Sequence, residues 1–306
     1  MEVEINQRKL LSLFFRPLYS TSKNKVVNTV EKFEYSKIDV IVKGKKPQYF
    51  MGSMLRGALG YSLKKVTCIN PSFTCNECFA KMSCLYYDFF ETKNSYHKYR
   101  LDFSLDSELF EFSLFLYGDA KDKLPYLLSA LHKLFIENGI GKDRLKPKEF
   151  FFYINSKTTY DGKEFKIPKN YINEFHLDRY SPDIKLQLCS PLRIKKNNSL
   201  VGKKEFDLID ILNSIHKRYQ QLTNQESSKI QFEQNYKIEK KDIKWKQLTR
   251  YSNRQRAKMN IDGLMGDIII KNLDKQSYEL LKLGEIIGAG KQTVMGLGKI
   301  KVEDIG

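Results

Sequence analysis

The feature that most constrains the fold is a hydrophobic pattern that runs through the chain twice. In each pass, segments with alternating apolar residues are combined with segments whose apolar residues recur at helical spacing, in the order strand, helix, strand, strand, helix, strand. This order is typical of a ferredoxin-like unit. Since a single core seldom grows beyond about 250 residues, 306 residues suit two such units. We predict an α+β protein with two tandem ferredoxin-like (RRM-like) βαββαβ domains, 1–180 and 181–306.

The pattern also places the individual elements. In the strand predicted at 108–118, Phe110, Phe112, Leu114 and Leu116 share one face. The first pass is predicted to span 33–42, 51–66, 108–118, 124–138 and 148–155, and the second 184–194, 206–222, a strand-forming stretch up to Trp245, 263–270, 274–287 and 299–302. The polar stretch between the passes, 156–183, is interpreted as the passage from one domain to the other.

Charge gives the first indication of a partner. Lys and Arg number 53 against 36 Asp and Glu, a net charge of +17. Such an excess favours a polyanion: nucleic acid, an anionic membrane or a phosphate-rich ligand. A lysine-rich proteome would give the same excess. No apolar run approaches the roughly 20 residues that span a bilayer, and the N-terminus lacks the pattern of a secretory signal. We expect a cytoplasmic protein without a membrane partner.

Four of the five cysteines follow the first predicted helix, in a loop at about 67–85. An odd total argues against a disulfide framework. A Cys-x-x-Cys pair flanked by two more cysteines suits a tetrahedral structural zinc site, and four thiolates would leave no position open for catalysis. Reduced thiols and an iron–sulfur cluster are the alternatives. The predicted ligands are Cys68, Cys75, Cys78 and Cys84.

A basic stretch near the C-terminus predicts contact with RNA. Residues 240–258 contain eight Lys or Arg and one acid, Asp242, with Trp245 and Tyr251 interleaved. Guanidinium groups bind phosphates and aromatic rings stack on bases, so this mixture is typical of an RNA-binding surface. A solvated charged face is the alternative interpretation.

The second helix of each pass ends in a loop of glycine and lysine, NGIGKDR at 138–144 and GAGKQTVMGLGK at 288–299. One glycine would serve as a helix cap, but the second loop contains more than a cap requires. Glycines let backbone N–H groups approach a phosphate closely. The loop is not a nucleotide-binding P-loop, because it follows a helix and has Gln292 where Ser or Thr is needed.

Several blocks, in order along the chain, resemble the CRISPR-associated RAMP endoribonucleases that process repeat transcripts. The blocks are YFMGSMLRGALGYSLKKVTC with CNECFAKMSCLYYDFFE, LYGDAKDKLPYLLSALHKL with NGIGKDR, SPLRIK, RYSNRQRAKMNIDGLMGDI and LLKLGEIIGAGKQTVMGLGKIKV. They cover most of the chain except the first 30 or so residues and 156–183. The resemblance implies two ferredoxin-like domains and a groove for CRISPR repeat RNA. It also implies metal-independent cleavage by the ribose 2′-hydroxyl, which produces crRNAs.

The resemblance also suggests site residues. Many family members place a histidine on or near the first helix, but here none precedes His97. The candidate catalytic residues are His97 and, on the helix beside Lys65, Arg56, Tyr61 and Lys64. The candidate RNA-binding residues are Arg250, Tyr251, Arg254, Gln255, Gly288, Gly290, Lys291, Thr293, Gly296, Gly298 and Lys299.

Three functions remain open at this level. The first is an active repeat-cleaving enzyme, a monomer or a homodimer. The second is a catalytically inactive subunit that binds repeat RNA, which the missing early histidine favours. The third is a RAMP backbone subunit that assembles with other subunits of a CRISPR effector complex.

Overall fold

A computed structural model describes residues 30–93, 96–226, 230–252 and 256–305. The strands are β1 (Glu34–Lys45), β2 (Tyr99–Asp102), β3 (Leu109–Tyr117), β4 (Phe150–Ile154), β5 (Lys157–Tyr160), β6 (Ile172–Glu174), β7 (Ile184–Leu192), β8 (Lys195–Lys196), β9 (Ser199–Leu200), β10 (Lys237–Lys246), β11 (Thr249–Ser252), β12 (Ala257–Asn260), β13 (Gly263–Lys271) and β14 (Ile300–Asp304). The helices are α1 (Gly52–Thr67), α2 (Leu85–Phe90), α3 (Leu124–Lys133), α4 (Leu208–Leu222) and α5 (Lys275–Ile287).

Each half of the chain builds one antiparallel sheet. The first sheet has the order β2-β3-β1-β4-β5, with β6 paired to β1, and the second has the order β10-β13-β7-β14. In both halves the first strand of the unit lies in the middle of the sheet. Along the chain it is followed by a helix, two strands, a second helix and a final strand, and this final strand lies on the opposite side of the first strand from the other two. Two small hairpins, β8–β9 and β11–β12, extend from the second half.

The apolar patterns that predicted the strands correspond to buried faces. Phe110, Phe112, Leu114 and Leu116 of β3 are all in the core of the first half, as the alternation predicts. The opposite face of β3 is also covered, because Phe115 and Tyr117 belong to the second core. The first sheet therefore packs on its own helices with one face and, near β3, on the second half with the other.

The sequence pattern did not predict seven short strands, β2, β5, β6, β8, β9, β11 and β12, and of these β2 belongs to the first predicted unit. β2 has only four residues, all of them buried, and two of those are Arg100 and Asp102. The two side chains form an ion pair, and the Arg100 guanidinium also donates to the carbonyl oxygens of Glu285 and Ile286 at 2.7 and 2.6 Å. A buried charge is retained only when it is paired and hydrogen-bonded, and these partners come from distant parts of the chain.

The helix ends follow local rules. Asp207 and Asp274 cap α4 and α5 by accepting hydrogen bonds from the backbone N–H groups of Ile209 and Ser277. α5 ends at Gly288, whose φ of 77° is a conformation that favours glycine. Within the described part of the chain, no helix is long and apolar enough to cross a membrane.

Candidate nucleic-acid interface

An open groove of about 980 Å³ lies between α1, the loop that follows α3, and the hairpin strand β11. Its lining residues are Gln48, Phe50, Ser53, Met54, Gly57, Ala58, Tyr61, Asn138, Gly139, Gly141, Lys142, Arg144, Thr249, Arg250 and Tyr251. Among the described residues, the lining includes three cationic and three aromatic side chains and no carboxylate. A phosphate backbone can therefore enter it without meeting a like charge.

Two of the cations come from a tight loop. Gly139 and Gly141 have φ values of 71° and 75°, and a Cβ at Gly139 would lie 2.2 Å from the carbonyl oxygen of Arg144. Ile140 and Leu145 exchange backbone hydrogen bonds of 2.9 Å, which close the loop. The glycines of NGIGKDR thus shape a turn that presents Lys142 and Arg144 to the groove.

The third cation is Arg250 on β11, a residue that the sequence analysis named as a candidate RNA contact. One Nη donates to the hydroxyl of Ser53 on α1 at 3.5 Å, so this side chain spans the two halves of the molecule. Burial and the positive charge of Arg56 lower the pKa of Arg250. Its neighbour Tyr251 also lines the groove and is 58% exposed, which leaves its ring free for stacking. The predicted contacts Arg254 and Gln255 lie outside the described residues.

The structure separates the four candidate catalytic residues. Tyr61 lines the groove and is 49% exposed. The ammonium of Lys65 lies 4.8 Å from the centre of its ring and donates to Asn138 Oδ1 at 3.0 Å. Lys64 is not among the groove-lining residues, and its ammonium lies over the rings of Phe73 and Tyr86 at 4.8 and 5.0 Å. Lys65 is thus nearer to the groove than Lys64.

Arg56 and His97 meet at a third place, beside Tyr99. Arg56 Nε donates to the Tyr99 hydroxyl at 3.0 Å, and the His97 ring centre lies 5.9 Å from that of Tyr99. His97 Nδ1 is buried and has no hydrogen-bond partner among the described residues. Burial and the positive charges of Arg56 and Arg218 lower the pKa of His97 to about 4, against the opposing effect of Asp88. His97 is therefore neutral at pH 7.

The loop 288–298 does not present its glycines to solvent. Its four glycines and Thr293 are buried, and the close contacts of these glycines are with protein. A Cβ at Gly290 would lie 2.6 Å from the carbonyl oxygen of Arg193, and one at Gly298 would lie 1.8 Å from that of Ala289. The geometry thus gives Gly288, Gly290, Gly296 and Gly298 a packing role, and the backbone approach to phosphate expected of them has no accessible surface here.

The two lysines of this loop differ. The ammonium of Lys299 lies 2.6 Å from Asp102 Oδ1, so its charge is already paired with the first half of the molecule. Lys291 is exposed and remains available for an anion. Two hydrogen bonds from α4 hold the loop at Gly290. Arg218 donates to the carbonyl oxygen of Gly290, and Ser214 Oγ accepts from the backbone N–H of Gly290, both at 2.6 Å.

The predicted zinc ligands share the wall of one small cavity. Cys68, Cys75, Cys78 and Cys84 all line a space of about 20 Å³, and none forms a disulfide. Within the described ranges, no three Cys, His, Asp or Glu side chains already stand together as metal ligands. The zinc assignment therefore stays a prediction.

Comparison with known proteins adds independent findings. Residues 186–300 match the family described as CRISPR-associated endoribonuclease Cas6, and residues 36–150 match a family described as an N-terminal domain (AF_1859_N). No curated protein matches the sequence.

Solved structures also resemble the chain. A Cas6 product complex is 12% identical, with 89% of this chain and 99% of that chain covered and a TM-score of 0.52. Thermus thermophilus Cas6 is 10% identical over 90% and 100% of the two chains, with a TM-score of 0.47. The product of a Cas6-related gene from Pyrococcus furiosus is 12% identical over 90% and 100%, with a TM-score of 0.44. At such identities the likeness concerns the fold.

Proposed function

Because residues 186–300 match the Cas6 family, we propose that the chain belongs to the Cas6-type RAMP proteins, and that it binds CRISPR repeat RNA in the groove between α1 and β11 and cleaves it there. The products would be crRNAs. The groove itself is the observation that carries this proposal: the three cations that line it come from both halves of the chain, and none of its described lining residues is a carboxylate. Repeat RNA supplies the phosphates and bases that such a surface fits.

We further propose that both halves are ferredoxin-like domains, 1–180 and 181–306. The support is their identical strand order, with the first strand central and the last at its side. The cysteine loop would then be an insertion between the first helix and the second strand of the first domain. The glycine loop 288–298 would belong to the contact between the domains, where it packs against Arg100 and Phe103.

The proposed chemistry is an attack by the ribose 2′-hydroxyl on the neighbouring phosphate, which leaves a 2′,3′-cyclic phosphate and a 5′-hydroxyl. The proton of the 2′-hydroxyl goes to a base, and the departing 5′-oxygen takes one from an acid. Lys142, Arg144 and Arg250 would stabilise the negative charge that develops on the phosphorane. Tyr61 lines the same groove and has the ammonium of Lys65 against its ring, and it is the proposed source of the proton for the leaving oxygen.

Incubation of the purified protein with an end-labelled repeat RNA in EDTA tests this function. We expect one cut per repeat, a cyclic or 2′-phosphate on the upstream product and a 5′-hydroxyl on the downstream product. The melting temperature, measured in the same buffer, shows whether EDTA has left the fold intact. Loss of cleavage at an unchanged melting temperature, or a product with a plain 3′-hydroxyl, would refute the metal-independent mechanism.

A binding-only protein is the second candidate, and one observation favours it. No histidine is among the described residues that line the groove, and His97, the candidate from the sequence, is half-buried beside Tyr99 with a lowered pKa. Such a protein would retain tight and selective binding of repeat RNA but would leave the labelled RNA intact in the same assay.

A further inference from the structure

The cysteine loop, residues 68–84, has an unusual distribution of exposed side chains. It begins at the end of α1 and ends at the start of α2, and not one of its residues is fully buried. All four cysteines are among its half-buried residues. Its large apolar side chains point outward instead: the exposed fractions are 67% for Ile69, 41% for Phe73, 76% for Phe79 and 96% for Met82.

This distribution is the reverse of what hydrophobic packing produces. A loop stabilised by burial would place its Phe, Ile and Met side chains inside, because each contributes about 1.5–3 kcal/mol when buried. Here the small polarisable cysteines are half-buried and the apolar groups face solvent. An interaction at the thiols could take the place of the missing apolar core.

The thiols converge on a space suited to an ion. Cys68, Cys75, Cys78 and Cys84 all line the cavity of about 20 Å³, which is close to the volume of a single small probe sphere. Between Cys75 and Cys78, Glu77 has a φ of 53°, so the Cys-x-x-Cys segment makes a tight turn that presents both side chains to the same space.

We propose that this loop is a structural zinc site with the four cysteines as its ligands. Four thiolates around Zn²⁺ carry a net charge of −2, and cations border the cavity. Lys81 lines it directly, and the ammonium of Lys64 lies 5.0 Å from the ring centre of Tyr86, another lining residue. Since the present side-chain positions do not form a completed ligand set, the thiols turn inward on binding and release their protons.

The site supplies stability rather than chemistry. Zinc bound by four thiolates has no free coordination position. The zinc ion would join the C-terminal end of α1 to α2. The N-terminal part of α1 lines the groove, and Phe89 of α2 packs in the core of the first half of the chain. The inference is independent of the proposed function, because it concerns the folding of this loop and would hold for a binding-only protein as well.

Metal analysis of the full-length protein, purified without an affinity tag that binds metals, tests the proposal. We expect one zinc per chain by elemental analysis and about four sulfur neighbours near 2.3 Å by X-ray absorption. Cys78→Ser is expected to lose the zinc. Cys189→Ser, at a cysteine outside the loop, is the matched control and keeps it.

The outcomes are decisive even if Cys78→Ser fails to fold, because the wild-type protein carries the main measurement. Substoichiometric zinc in protein purified and refolded with excess zinc would overturn the proposal. Iron with acid-labile sulfide would overturn it as well and would identify an iron–sulfur cluster. A wild-type melting temperature that is unchanged by complete removal of zinc would refute the structural role.

Discussion

Gly52 at the start of α1 touches the glycine loop of the second half: a Cβ at Gly52 would lie 1.8 Å from the carbonyl oxygen of Met295. The same loop inserts Val294, Met295 and Leu297 into the core of the first half. The two halves are therefore joined by close packing of backbone against backbone at the point where α1 enters the groove.

This contact predicts that Gly52→Ala destabilises the protein. The added methyl group has to displace a backbone carbonyl, and overpacking of this kind costs about 1–3 kcal/mol. The measurement is the free energy of unfolding in urea. Gly57→Ala in the same helix is the control, because its Cβ meets nothing within 4 Å. It is expected to stabilise α1 by roughly 0.5–1 kcal/mol. Equal effects of the two changes would contradict the packing described here.

The cations of the groove predict the salt dependence of RNA binding. Arg250→Ala is expected to weaken binding of a repeat RNA about tenfold or more and to lower the slope of log affinity against log salt by about one. Lys142→Ala and Arg144→Ala are expected to lower the slope by similar amounts. Lys195→Ala, at an exposed lysine of β8 outside the groove lining, is the control. The groove is the wrong site if Lys195→Ala changes the slope as much as Arg250→Ala does.

The positions of the α1 side chains predict which of them matters for cleavage. Tyr61→Phe removes the only titratable proton of a groove-lining side chain on α1. It is expected to reduce the single-turnover rate by about 10²-fold or more with little change in RNA affinity. Lys64→Ala changes a side chain that lies over Phe73 and Tyr86 and is expected to leave the rate nearly unchanged. The reverse order of effects would move the catalytic group to the cysteine-loop side of α1.

His97 predicts a pH dependence of stability. Its pKa is about 4 in the folded protein and about 6.5 in the unfolded chain. Below pH 6.5 the unfolded chain takes up a proton that the folded protein does not, so stability falls as the pH is lowered and levels off below about pH 4. For a half-buried group the loss is on the order of 1–2 kcal/mol after allowance for solvent screening.

The measurement is the melting temperature of wild type and His97→Gln between pH 7.5 and pH 4.5. The variant should lose less stability over this interval than the wild type. His176→Gln, at an exposed histidine, should retain the wild-type difference. If His97→Gln and wild type lose equal stability, His97 takes up its proton in the folded protein as readily as in the unfolded chain.

The sequence was sufficient for the longer helices and strands, because their periodicity reflects burial. The burial of β3 follows the alternation from Leu109 to Leu114, and beyond it the contact with the second half buries both faces. β2 could not be recognised, since Arg100 and Asp102 interrupt its apolar character and the carbonyl oxygens that satisfy Arg100 lie at the end of α5. A local pattern contains no information on such distant partners.

The candidate site was only partly accessible to the same reasoning. The glycines of 288–298 indicate that there is no room for side chains at these positions. The sequence does not show whether a phosphate or the protein itself lies against them, and in the structure the neighbours are Arg193, Phe103 and Ala289. Likewise, Lys142 and Arg144 belong to a loop that the sequence singled out for its glycines. Their meeting with Arg250 in one groove follows only from the packing of the two halves.

The central claim is that the groove holds repeat RNA so that one of its ribose hydroxyls attacks the neighbouring phosphate. A series of repeat RNAs with single 2′-deoxy substitutions tests it most directly, with affinity and single-turnover cleavage measured for each. The account predicts that the substitution immediately upstream of the cut abolishes cleavage while affinity stays within about twofold, and that the other positions are cleaved normally. Cleavage at the normal rate with the 2′-hydroxyl at the cut removed would contradict it.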